Sequence, residues 1–440
     1  MTENKMSPSV IFLVATVLIL PGISSSAQED LSAKISAQIN AIKRAGYPTT
    51  LEELDRWYPH VPAAENAATV LSDGFSHLQI PDTAKLPFFA KGPLPARGEA
   101  LSGETAKAVE DVLKQNQAAL ELIQKGAELT KCRYPIDLKK GSDAELPHLP
   151  KIRHAVSLLL LRGLTGVEDS PQSAVRSLTN AFAIAKSLEA EPLIISQLVR
   201  IALQRLSTST LERMLNLKER RDDQLSALSA SLSDAECPTS LPRAIAGELC
   251  TGISLFQMSP QDRAKMLGGS RTTPASPSDP RILDGDFLFY LRTMENVVQT
   301  AKEPYPKRLG IAKSLSPQII RSAKEQKYLV SARLLPPVGT AVEKEGENVA
   351  WLRSAVAALG VERFRHANGK LPDSLDSLAP KFLGAVPLDP FDTKPLRYKK
   401  LSKGYLVYSI GKDAKDDGGK EKEESSASDT NYDVTFTVER

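Results

Sequence analysis

The sequence predicts a mainly α protein: a helical bundle or helical-hairpin body carrying a small C-terminal α+β domain made of a helix and an antiparallel sheet. Three observations predict it. Leu, Ile, Val and Ala recur at three- and four-residue intervals from about Ser102 to Leu232, the spacing that lines one face of a helix. Aromatic residues make up only 5% of the chain, which disfavours a large all-β protein. Beyond Gly369 the pattern changes to Pro, Asp and Gly with short alternating runs, which is strand and turn grammar. At 440 residues the chain can bury a sizeable core and hold two or three domains.

The elements follow in order. Lys5 precedes an apolar run over 8–20. Pro21 and Gly22 then act as breakers, and Ser25, Ser26 and Ala27 offer small residues for cleavage. This predicts a signal peptide over 1–27, a mature chain from Gln28 and a periplasmic or secreted location. An uncleaved anchor is the other reading, but the run is shorter than the roughly 20 apolar residues a membrane span needs. No Cys follows the run, so a lipoprotein is disfavoured, and no later segment is long and apolar enough to cross a bilayer.

The helical body is expected over 28–335. Leu31, Ile35, Ile39 and Ile42 share a helical face that Gly46 ends. Thr50 and Glu53 form a capping box for a short second helix, and 64–78 reads as a third. The Pro/Gly-rich stretch 86–102 reads as a surface connection. Long helices are expected over 105–129, 149–167, 170–192 and 193–217, with breaks short enough for antiparallel neighbours. Residues 271–283 read as an exposed Pro/Ser-rich loop and 284–302 as a helix, while 303–317 and 333–341 read as irregular.

Charge is nearly balanced, at 56 basic against 53 acidic residues, and the signs are interleaved, which excludes a nucleic-acid surface. Cys132, Cys237 and Cys250 are too few for a disulfide framework. Cys237 and Cys250 pairing across a helical turn, or three separate thiols, are equal readings. No phosphate loop, zinc-protease motif or nucleophile elbow occurs. The histidines His60, His77, His148, His154 and His366 are scattered. His154 reads as a satisfied core residue, and His366 as a cation at a helix C-terminus.

The terminal domain is expected over 348–440. Val349, Leu352, Val356, Leu359 and Phe364 give its helix an apolar stripe, and Asn368-Gly369 stops it. Pro387 and Pro390 hold an extended turn. Strands are expected within 395–400, 404–410 and 432–438, with a hairpin turn at Ser402-Lys403-Gly404. The last should be half-buried, with Val434, Phe436 and Val438 alternating against Thr435 and Thr437.

Over about residues 349–440 the order Asn368-Gly369, Pro372, Asp389-Pro390-Phe391, Pro395-Leu396, Tyr398, Tyr408-Ser409, Gly411, Asp413 and Gly418-Gly419 resembles the C-terminal domain of the major G-type pseudopilin of type II secretion systems. The resemblance implies a helix-plus-sheet head. It also implies a calcium ion held by the Ile410 carbonyl and by Asp413, Asp429 and Asp433. Read as residues alone, the same stretch is a solvated acidic loop, with Asp416 and Asp417 as free turn residues. The chain departs from the family pattern at Ala414, where a Gly is expected, and in the long insert 420–431. It also lacks the family's short basic leader followed by a long apolar helix. The expectation is therefore an exported, non-enzymatic helical scaffold or binding body with a pseudopilin-like head and a protein partner. An accessory of type II secretion machinery is the alternative, and an exported hydrolase with acidic catalytic residues a further one.

Overall fold

Helix α1 runs from Pro21 to Arg44 and opens the part of the chain that the computed structural model describes: residues 21–80, 86–89, 92, 94–267, 280–315, 321, 324–422 and 431–440. Most of the expected signal peptide thus lies outside the described residues. Pro21 and Gly22, expected as breakers, instead begin α1, where the missing Pro N–H costs nothing. Gly46 ends the helix at φ 84, with its N–H on Lys43 O and that of Tyr47 on Ile42 O. Helix α2 (Leu51–Trp57) is capped by Thr50, whose side chain accepts from Glu53 N. Glu53 reaches back to Thr49 rather than to Thr50, and its bond to Lys43 helps pull its carboxyl down to about 2.

Helix α3 (Ala67–Ser76) precedes a pair, α4 (Gly103–Gln115) and α5 (Gln117–Ala127), where one helix over 105–129 was expected. Asn116 makes the break. It is buried, its amide donates to Gln79 O and Val112 O, and its oxygen accepts from Gln79 N. Helices α6 (His148–Thr165), α7 (Pro171–Lys186) and α8 (Ile194–Leu217) match the expected spans 149–167, 170–192 and 193–217, except that α7 stops six residues early, and α9 (Asp222–Ala235) follows. Then come α10 (Ser240–Gln257), α11 (Pro260–Met266), α12 (Pro280–Thr300), α13 (Gly310–Leu315) and α14 (Leu329–Leu334). The expected loop over 271–283 is corrected at its end: 280–283 is the first turn of α12, and 271–279 lies outside the described residues.

The last helix, α15, spans Pro336–Asn368, twelve residues longer at its start than 348–368. The Pro-Pro pair read as irregular occupies its first two positions, where neither proline is asked for an intrahelical hydrogen bond. Strands β1 (Arg397–Lys400), β2 (Tyr405–Ser409) and β3 (Val434–Val438) form one antiparallel sheet in the order β1-β2-β3. Gly404 makes the β1–β2 turn possible. It has φ 78, and a Cβ there would lie 1.7 Å from Val438 O. Thr435 and Thr437 are buried along with Val434, Phe436 and Val438, so β3 is covered on both faces rather than half-buried.

Two apolar cores result. One joins α3–α9 to the terminal sheet, and the other joins α1, α10, α12, α13 and the start of α15. Helix α15 serves both: Val338, Ala341 and Val342 lie in the second, and Leu352 to Val361 in the first. At 33 residues it is about 50 Å long. Between the cores runs a buried polar seam. Glu345 lies 3.6 Å from Arg200 and 3.3 Å from Arg308, and accepts from Tyr305 Oη at 3.1 Å. Arg200 also donates to Gln197 and Gln204, and Asn348 donates to the same Gln204 oxygen. All three thiols are free. Cys250 Sγ donates to Thr50 O and Cys237 Sγ to Glu189, and ten residues of α10 separate Cys250 from Ser240, about 15 Å along the helix axis. Among the described residues no helix is long and apolar enough to cross a membrane.

Removing Glu345 would leave two buried guanidiniums without their shared acid. Glu345→Ala should cost about 3–5 kcal/mol in urea unfolding. A loss below about 1 kcal/mol would show that the seam is solvated and adds nothing.

Candidate functional site

The terminal module is organised by one carboxylate that sequence reading passed over. Asp389 is fully buried at the turn before β1. Its Oδ1 accepts from Phe391 N and Ser409 Oγ, and its Oδ2 from Ile410 N and Arg397 Nη1. It thus ties the Asp-Pro-Phe turn to the end of β2. The Asp-Pro pair was a legible turn signal, but the three distant partners were not.

Beyond Ser409 the chain enters the acidic loop. Ile410 is buried, and its N–H is the one on Asp389. Asp413 is half-buried; Oδ1 accepts from Lys415 N, and Oδ2 is shielded from water with no partner. Asp433, just before β3, is 1% exposed. Its Oδ2 accepts from Gly419 N, while Oδ1 is buried and unpartnered. Burial pushes its carboxyl upward, against the pull of the Gly419 and Asp417 amides, with Asp416 and Asp417 adding repulsion. Asp416, expected as a free turn residue, is engaged: it accepts from Tyr408 Oη and Gly418 N, and lies 3.7 Å from Arg397. Asp429 lies outside the described residues. Among the described residues no three His, Cys, Asp or Glu side chains gather as a metal centre. The buried oxygens Asp413 Oδ2 and Asp433 Oδ1 make no hydrogen bond and are of the type a hard cation takes.

The head is clamped to the body along β3. Thr437 N donates to Glu212 Oε1 at 2.7 Å, Asn216 Nδ2 donates to Thr437 O at 2.8 Å, and Glu439 N donates to Asn216 Oδ1 at 2.7 Å. Two side chains of α8 therefore satisfy the outer edge at Thr437 and Glu439 as a neighbouring strand would. Arg97, from the expected surface connection, locks this contact. It lies 3.6 Å from Glu212 and 3.5 Å from Glu439, and donates to both oxygens of Glu421. Burial pushes the Glu212 carboxyl up to about 7, although Arg97 and the Thr437 amide pull it down.

A second constellation lies between α5, α6 and α7. His148 sits 2.9 Å from the fully buried Glu191 and stacks on Tyr134 at 4.4 Å. Tyr134 Oη meets Ser187 Oγ at 3.0 Å. Ser187 and Cys132 line a neighbouring cavity of about 410 Å³. Burial pushes the Cys132 thiol up to about 12, which leaves it protonated and weakly nucleophilic near neutral pH. The cavity's Lys131 and Lys186 are neutralised by Glu65 and Asp234. His154, expected to be satisfied in the core, is half-buried against Phe89 with an unpartnered Nδ1, and burial lowers its basicity.

No family model, curated protein or solved structure matches the chain.

Two outcomes follow from this geometry. Ala414 has φ 59, a left-handed conformation that a Cβ disfavours. Ala414→Gly should therefore raise urea stability by about 1 kcal/mol; a loss of stability would show that the Ala side chain contributes packing there. Glu212 binds its proton more tightly folded than unfolded, where its pKa is 4.5. Its contribution is fully present below pH 4.5 and is lost as pH rises through about 7, a change of about 3 kcal/mol at most. Glu212→Gln keeps an acceptor for Thr437 N but cannot ionise. It should flatten the fall in stability between pH 5.5 and 8, and an unchanged slope would rule Glu212 out as its source.

Proposed function

We propose that the chain is an exported, non-catalytic binding protein in which a pseudopilin G-like head is fixed to a helical body, and that the head binds calcium. The observation that carries this reading is the closed edge of β3. The outward groups of Thr437 and the Glu439 N–H are spent on Glu212 and Asn216, so the C-terminal half of that edge is closed to strand addition by another copy. The opposite edge strand carries Arg397, Lys399 and Lys400, a charge pattern that discourages strand addition. A head built this way is a rigid part of one molecule rather than a unit of a growing fibre.

The body supports a partner-binding role with a groove of about 810 Å³ between α4–α5 and α6–α7. Lys114, Glu121, Arg162 and Arg176 line it. Arg162 is held by Ser177 Oγ and the Gln124 amide oxygen rather than by a carboxylate, and burial weakens its hold on its proton. An acidic segment of a protein partner suits that guanidinium. A photo-crosslinker placed at Gln117, in the native envelope, should give an adduct that Arg162→Gln removes and that the same probe at Lys381 does not give. Identical adducts from both positions would end the groove assignment. An adduct containing a pseudopilin or a secretin would assign the protein to type II secretion machinery.

Calcium would draw on Asp413 and Asp433 together with backbone oxygens, and would neutralise carboxylates that otherwise repel. At a hundredfold excess over Kd it should stabilise the fold by about 2.7 kcal/mol. Asp413→Ala should abolish the calcium-dependent rise in Tm, and Asp111→Ala, on the exposed face of α4, should keep it. A wild-type Tm indifferent to millimolar calcium would reject the ion.

A further inference from the structure

Between α2, the start of α10 and the chain after α12 lies a cavity of about 400 Å³ whose lining contains three cations and no carboxylate. The cations are Arg243, Lys302 and Arg308. Two of them make no close ion pair, although Glu189 acts on Arg243 from a distance. The Arg243 guanidinium rests 4.9 Å over the Trp57 ring, and the Lys302 ammonium 4.9 Å over the Tyr47 ring. Neither makes an ion pair or a side-chain hydrogen bond among the described residues. This differs from other cavities of the molecule. In the one beside Cys132 each lysine has its own acid, and the groove between α4 and α7 carries Glu110 and Glu121.

The third cation is built in. Arg308 is 5% exposed; its Nε donates to Glu303 O, and its Nη1 reaches Glu345 at 3.3 Å. Glu345 is shared with Arg200, so one buried carboxylate answers two buried guanidiniums and the back wall keeps an excess of positive charge. Tyr47 adds a phenol oxygen that is shielded from water and has no partner. Partial burial disfavours the charged form of Arg243, against a pull from Glu189. Pro238, Thr239 and Pro242 complete the lining beside the two rings and put no charge between the cations. A bare inorganic anion would use the cations and waste the rings. A neutral ring compound would leave three charges unanswered.

We propose that this cavity is a binding site for a small organic anion, a carboxylate or phosphate monoester attached to a flat ring, with Arg243 and Lys302 on the anionic group and Trp57, Tyr47 and the prolines around the ring. The site is separate from the groove and from the acidic loop, so it stands whether or not those readings do.

Trp57 is a built-in reporter, because the chain has only two tryptophans and the other, Trp351, is on α15. In the full mature chain carrying Trp351→Phe, fluorescence is titrated with benzoate, phenyl phosphate, inorganic phosphate and neutral benzamide. Benzoate or phenyl phosphate should give a saturable change with Kd of about 1 mM or tighter, and benzamide should bind at least about tenfold more weakly. The stronger of the two anionic arms tells whether the natural ligand is a carboxylate or a phosphate ester. Arg243→Gln and Lys302→Gln should each weaken that arm about tenfold, a loss expected for one charge-assisted contact. Lys302 is exposed, so its replacement leaves the fold intact and reads the contact alone. The proposal is overturned if neither anion saturates by about 10 mM, if benzamide binds as well as benzoate, or if Lys302→Gln binds like the parent.

Discussion

Glu345 in the middle of α15 is the contact on which the rest of the architecture depends. The helix crosses two apolar cores, and apolar packing alone tolerates some sliding and rotation along its length. A carboxylate held between Arg200 of α8 and Arg308 of the segment after α12 does not. It has one position where both guanidiniums and the Tyr305 hydroxyl are answered, and any other leaves charges buried and unpaired. Asn348, one turn on, repeats the constraint through Gln204. The seam thereby sets which part of α15 faces the first core and which faces the second.

That placement in turn makes the terminal sheet possible. Three short strands need a packed face to be stable. Here they borrow one: Tyr405, Val407, Phe436 and Val438 join the core built by α6–α9 and α15, and Tyr405 Oη donates to Ala358 O of the long helix. The other side of the sheet is closed by α8, through Glu212 and Asn216, and by Arg97 and Glu421. The head and the body therefore share apolar surface, hydrogen bonds and ion pairs. A carboxylate buried at such a junction is costly when ionised, and this is why Glu212 holds its proton so far into the neutral range.

Charge is arranged unevenly around this frame. The loop between β2 and β3 gathers carboxylates whose oxygens are partly unanswered, whereas the cavity beside Trp57 gathers cations that are partly unanswered. Each is an imbalance that folding maintains at some cost. The cysteines, by contrast, are neutral thiols: Cys237 and Cys250 are buried and donate to Glu189 and Thr50, and the half-buried Cys132 lines a cavity whose charges are already paired.

Much of the fold was legible in the sequence because its determinants are local. The 3.6-residue spacing of α6–α9, the Thr50 cap, the Gly46 stop and the alternating runs of β1–β3 each depend on residues a few positions apart. What only the tertiary structure decided concerns groups far apart in the chain. Asn116 breaks a helix because Gln79 needs its side chain, and α15 extends back to Pro336 because the second core rewards burying Val338 and Val342. Asp389 gathers partners up to 21 residues away, Arg97 meets Glu421 across 324, and Arg243 finds Trp57 rather than an acid. Periodicity reports which face of an element is apolar, but it carries no information about which distant polar group will arrive to satisfy a buried charge. Those partners are selected by the cost of leaving a buried charge or hydrogen-bonding group alone, and that cost arises only once the chain has packed.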